Sequence, residues 1–382
     1  MTGRARHRMA LWLVSVMALQ ARADLPSELG AGPEVATLGA PSSHWVWVND
    51  LVFPHMSDGT AMLIDGDSGH YLGTLSTGFG FVHVLLPRDG KYVYSPETYF
   101  SRGTRGVRTD VVTIYDAKTL SPVNEIQIPP KRSSNLPMMA NDVLTDDDRF
   151  LLIFNFNPGS SVSVVDTASR RFVGEIETSG CALIYPTGPR SFFTLCGDLG
   201  ALVVTLDDAG AALTQERTAP LFDAADFVTE KPVRVGDVWY FVSFDGRIYP
   251  VTGGKGGLTV GQPWWLGSAA ERKQGWRPGG LQQLAAHAGQ NRLYAIMHRG
   301  NRASHKDPGS TIWVYDLATT QRVMRIPLRH LTGSIQVSSD SHPLLYGVFA
   351  DNADLDVYDA QTGKSLRTVK DVATTPTLLV VP

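Results

Sequence analysis

Cysteine is nearly absent from this chain, with only Cys181 and Cys196 in 382 residues. A thiol-based zinc site needs more closely spaced Cys and His, and a redox dithiol would read C-x-x-C. Neither pattern occurs. Long apolar runs are also missing. The run from Met9 to Leu19 covers eleven residues, well short of the roughly 20 of a spanning helix. Basic charge is in the minority, 34 Lys and Arg against 37 Asp and Glu. Phosphate binding is driven by clustered Lys and Arg, so nucleic acid and anionic membrane surfaces are poor partners. Catalytic signatures are lacking as well. There is no H-E-x-x-H or paired-His motif among ten histidines, so no metal site is expected. There is also no G-x-S-x-G. "GGKGGLT" at 253–259 has Gly256 where a phosphate loop needs Ser or Thr, and reads as a hairpin turn. "GFGFVH" at 78–83 lacks the third glycine of a dinucleotide fingerprint. From its residues alone the chain reads as a binding scaffold.

What is present begins with the N-terminus. "MTGRARHRMALWLVSVMALQARA" places Arg4, Arg6 and Arg8 before the apolar run and ends on Ala-Arg-Ala. That is the layout of a cleaved signal peptide over residues 1–23, leaving 24–382 as the mature chain, outside the cytoplasm. Removing four Arg and no acid leaves a formal charge of −7. Export decides among the three roles open to the cysteine pair, because disulfides persist in oxidising compartments. A structural bridge is expected across a hairpin of "ALIYP" and "SFFTLC".

One phrase recurs along the chain: "MLIDGDSGHYLGTLST", "VTIYDAKTLSPVNEIQI", "VSVVDTASRRFVGEIET", "IWVYDLATTQRVMRIPL" and "LDVYDAQTGKSLRTVKD". Each is a β-branched or aromatic strand ending in Asp, a polar turn and a second strand. The aspartates are Asp65, Asp116, Asp166, Asp316 and Asp359, placed to start turns by bonding their own backbone. Degenerate copies around Asp207 and Pro250 bring the number to seven, about 51 residues each over the 359 after the leader. A second phrase, "LPRDGKYVYS", "LTDDDRFLLIF" and "VSSDSHPLLYGV", reads as an inner hairpin. The pattern predicts an all-β, seven-bladed β-propeller. The final "TLLVVP" is expected to close it beside the first blade, and only "SAAERKQ" (268–274) reads as helix.

Three segments fall outside the repeat. "ETYFSRGTRGVRTDVVTIYD" carries Arg102, Arg105 and Arg108 at three-residue spacing, either a solvated turn or a basic docking loop. "WRPGGLQQLAAH" leads into a strand. "WVNDLVFPHMSDG" sets Phe53, Pro54 and His55 between two strands, where an apolar side chain is more often core than contact surface.

The segments "FSRGTRGVRTDVV", "AERKQGWRPGG", "PTGPRSFFTLCGD" and "HKDPGSTIWVYDLATTQRV" resemble the heavy subunit of quinoprotein amine dehydrogenases, over nearly the whole chain from Trp45 to Pro382. "WVNDLVFPHMSDGTAMLIDG", with "IPPKR", is more similar to the aromatic amine dehydrogenase branch than to methylamine dehydrogenase. The resemblance implies a periplasmic seven-bladed propeller in an α2β2 complex. In that family the small subunit carries tryptophan tryptophylquinone, and a primary amine is oxidised to aldehyde and ammonia. Electrons then pass to a blue copper protein of the azurin or amicyanin type. No cofactor and no catalytic residue is expected in this chain, whose eight tryptophans are expected to pack between blades. By the same resemblance Phe53, or its neighbours Pro54 and His55, lines the substrate channel. Arg102, Arg105 and Arg108 dock the small subunit, and Cys181 and Cys196 match the family's intrachain disulfide. The alternative is a stand-alone periplasmic propeller binding module without redox activity.

Overall fold

Alternation of apolar and polar residues between Asp-initiated turns favours short antiparallel strands, and strands dominate. In the computed structural model, which describes residues 36–254 and 257–382, there are 29 strands, two short 3-10 turns and one helix, Ala269–Lys273. That helix lies within the segment expected to be helical. Ser268 caps it, accepting from the Glu271 backbone while the Glu271 side chain accepts from the Ser268 N–H. The leader, residues 1–23, lies outside the described residues.

The repeated aspartates act as the sequence predicts. Asp116 accepts from the backbone of Lys118 and Thr119, Asp166 from Ala168 and Ser169, Asp316 from Ala318 and Thr319, and Asp359 from Gln361 and Thr362. Asp207 does the same with Ala209 and Ala211. The copy around Pro250 differs. Pro250 lies within the strand Arg247–Gly254, opposite Tyr240, and Gly254 pairs with Gly257 of the following strand. Without an aspartate to start the turn, glycine supplies it, Gly257 having φ of 95°.

The strands form six antiparallel-dominated sheets of four to seven strands. The seven-stranded sheet is nearly two: Tyr71–Gly78 and Tyr92–Arg102 touch at one parallel pair, Gly78 and Thr98. One part opens with the C-terminal strand Pro376–Val380 against Trp45–Asp50, the closure expected of "TLLVVP". The other begins where Leu85 bridges Tyr94.

The apolar cores lie between sheets. Trp47, Leu63 and Leu75 pack with Val84, Val93 and Tyr115, and Ile114 and Ile126 pack with Leu151 and Val165. Phe150 and Val164 share a core with Phe193, Val204 and Phe241, and Val242 and Ile248 share one with Leu293 and Trp313. Ile296 and Val314 meet Ile335 and Tyr358, and Tyr346 and Leu355 meet Val46 and Ile64. The packing thus returns from the last sheet to the first, the arrangement of a β-propeller. Trp47 and Trp313 are buried in these cores, while Trp265 is exposed.

Candidate functional site

Two structures at one end of the molecule carry the residues singled out in the sequence. The first is the loop between Trp45–Asp50 and Gly59–Asp65. Buried Asp50 holds it by accepting from the backbone of Val52, Thr374 and Thr375 and from the Thr375 hydroxyl, at 2.6–2.9 Å. The Phe53 N–H donates to the same hydroxyl. With these backbone groups committed, the chain turns tightly through Val52 and Met56, with φ of 51° and 53°. The Phe53 ring is left outside, 66% exposed, so it is surface rather than the core that its apolar character favoured. Pro54 and His55 are exposed beside it, and His55 Nδ1 lies 2.8 Å from Asp58.

The second is a long hairpin, Tyr92–Arg102 against Arg105–Asp116. The arginine segment, read as a turn or loop ahead of a strand, is itself strand. Arg108 pairs with Phe100 and Arg102 with Arg105, and Gly103 at φ 69° forms the tip. Arg102 and Arg105 are exposed and enter no ion pair among the described residues. Arg108 is committed inward, donating from Nε and Nη2 to the two oxygens of fully buried Asp110, and from Nη2 to the Arg132 carbonyl. Sequence reading missed this anchor, although the i, i+2 spacing of Arg108 and Asp110 on one strand face was its signal.

A charged network lies behind the hairpin. Arg132 is buried and donates to the Phe81 carbonyl and the Thr98 hydroxyl. Its guanidinium lies 3.6 Å from Asp142, whose two oxygens have no hydrogen-bond partner. Burial therefore pushes the Asp142 carboxyl up to about 6 despite Arg132. Burial likewise holds His83 down to about 4, while its Nε2 meets the Asp142 carbonyl at 3.0 Å. Glu97 is also raised by burial, and accepts from Tyr99, Thr113 and Tyr115.

The two structures are tied together by the discarded "GFGFVH". The Gly80 N–H donates to Met56 in the Phe53 loop, that of Phe79 to Thr98 in the hairpin, and that of Phe81 to Ser134. A Cβ on Gly80 would stand 2.3 Å from the Ser134 carbonyl, and φ there is 85°. Only glycine fits such an approach. Exposed Tyr99, Val107, Leu136, Phe156 and Phe227 add apolar surface on the hairpin and on the loops that link strands at this end. Cys181 and Cys196 pair across their hairpin and form the disulfide. "WRPGGLQQLAAH" supplies the strands Trp276–Pro278 and Leu284–His287. A cavity of about 410 Å³ is lined from several sheets, by residues including Leu85, Asp142, Ile184, Lys231, Gln282 and Val380. None of Phe53, Pro54, His55, Arg102, Arg105 or Arg108 lines it.

The family model for methylamine dehydrogenase heavy chain (MADH) matches residues 42–381, which hold all of these elements. The chain belongs to this family. The methylamine dehydrogenase heavy chain of Methylophilus methylotrophus is 30% identical, over 97% of this chain and 93% of that one. The heavy chain of Paracoccus versutus is 31% identical, over 91% of this chain and 81% of that one. Among solved structures, a functionally unknown protein from Desulfotomaculum acetoxidans DSM 771 aligns with a TM-score of 0.62 and 13% identity. It covers 88% of this chain and 98% of its own, a likeness of fold alone. In this amine dehydrogenase heavy chain the Phe53 loop and the arginine hairpin both lie within the matched residues.

Proposed function

We propose that this chain is the exported, periplasmic heavy subunit of an amine dehydrogenase, a seven-bladed propeller that seats a small subunit on the Phe53 end. Two heavy and two small chains make the complex, and the small chain carries tryptophan tryptophylquinone. There a primary amine is oxidised to aldehyde and ammonia, with electrons leaving through a blue copper protein. The family match over residues 42–381 carries this reading. Phe53, with Pro54 and His55, lines the channel to the quinone, and Arg102 and Arg105 dock the small chain while Arg108 holds their hairpin from behind. That end suits a docked protein rather than an enclosed cofactor, because its apolar side chains stand on the outer surface.

The test is purification of the native complex, with intact mass and a visible spectrum before and after a primary amine. A co-purifying small chain whose quinone absorbance bleaches on amine addition is the expected result. A lone, colourless chain indifferent to amines would support the stand-alone binding module.

A further inference from the structure

Lys231 is a buried amine with no anionic partner. Its Nζ donates to one neutral acceptor, the Gly280 carbonyl, at 2.8 Å, and no carboxylate pairs with it among the described residues. It lines the 410 Å³ cavity, whose walls include Ile184, Leu281, Leu284 and Val380. The cavity reaches the surface at Arg88, which is exposed. Its volume lies in the range that encloses small organic ligands. A buried ammonium without a counter-ion loses hydration and gains little in return, which favours the neutral, nucleophilic amine. Burial accordingly holds Lys231 down to about 8, with nearby Lys306 adding to the effect and Glu230 opposing it. At pH 7 about one such amine in ten is unprotonated, against roughly one in several thousand for an ordinary lysine.

We propose that this cavity is a binding site for small apolar aldehydes, which Lys231 captures as an imine. The Nζ lone pair attacks the carbonyl carbon, and a proton passes from nitrogen to oxygen. The carbinolamine then loses water to leave a C=N bond. Amine and aldehyde give imine and water, with no change of oxidation state. The cavity is lined by no residue of the Phe53 loop or of the arginine hairpin, and the proposal does not depend on the amine-oxidising reading of the complex.

The test uses the purified protein in its native assembly, propanal as the probe and cyanoborohydride to reduce any imine formed. Peptide mass mapping then locates the added propyl group. The expected result is labelling at Lys231 at least tenfold above exposed Lys91, Lys118 and Lys364 at pH 7, with an apparent midpoint near pH 8. In Lys231→Met, shown by thermal unfolding to be folded, that label disappears and the surface labelling is unchanged. Labelling spread evenly over surface lysines, or appearing at Lys231 only after unfolding, would overturn the proposal. The wild-type map decides the matter even where the variant does not fold.

Discussion

His83 and Asp142 show how burial, the largest influence on both, can set two neighbours against each other. His83 binds fewer protons in the folded chain than in the unfolded one between about pH 4 and pH 6.5, because burial lowers its folded value to about 4. Its contribution to stability therefore rises with pH through that window. Asp142 behaves oppositely. Its folded value of about 6 lies above the ordinary 3.8, so its contribution falls as pH rises from about 4 to 6. The two largely cancel in the wild-type chain, and a substitution at one exposes the other. In His83→Gln, which keeps an amide donor for the Asp142 carbonyl, the compensating rise is gone. The wild-type advantage over this variant should grow by about 2 kcal/mol between pH 4.5 and 7. Urea denaturation at the two pH values measures it, and a constant difference would refute the account.

The hairpin bearing Arg102, Arg105 and Arg108 separates two kinds of arginine on a single element. Arg105 has a free, exposed head, whereas Arg108 neutralises a buried carboxylate. Arg105→Glu should leave unfolding within about 0.5 kcal/mol of wild type, as surface changes usually do. It should weaken small-chain association at least tenfold, read by titration of separated subunits. Arg108→Glu should instead cost about 3–5 kcal/mol of stability, since it leaves Asp110 buried beside a second negative charge. Equal effects of the two changes on unfolding would show that the hairpin is not anchored in this way. The hairpin also marks how far the sequence was legible. The turn aspartates were readable because an Asx turn is local, its donors two or three residues away. The helix cap at Ser268 was local in the same sense. Arg-Gly-rich composition looked like loop, but pairing of Arg108 with Phe100 and of Thr109 with Tyr99 across the hairpin overrides it. For Phe53 residue type alone favoured the core, and its exposure is imposed by Asp50 together with Thr374 and Thr375, more than 300 residues away. Gly80 was read only against a nucleotide motif, and its close approach to Ser134 exists only after folding.

At the scale of the molecule, the order of sheets follows from the repeat, and closure depends on the last strand. Pro376–Val380 hydrogen-bonds to Trp45–Asp50 and buries Leu378, Leu379 and Val380. Polar clamps fix its position. Gln282 donates to the Leu379 carbonyl and accepts from its N–H, the Asn49 amide donates to Leu378, and the Ser334 hydroxyl donates to Thr377. Gln282 and Ser334 belong to the sixth and seventh repeats, so the strand joins both ends of the chain to the later sheets. Three buried aliphatic side chains are worth about 5–9 kcal/mol, comparable with the net stability of a whole domain. Truncation after Thr375 should therefore abolish cooperative unfolding near physiological temperature. Gln282→Leu should cost about 1–3 kcal/mol, by leaving the Leu379 N–H and carbonyl unpaired in a buried site. Calorimetry distinguishes the cases: a truncated chain with a wild-type melting transition would mean that the sheets hold together without the final strand.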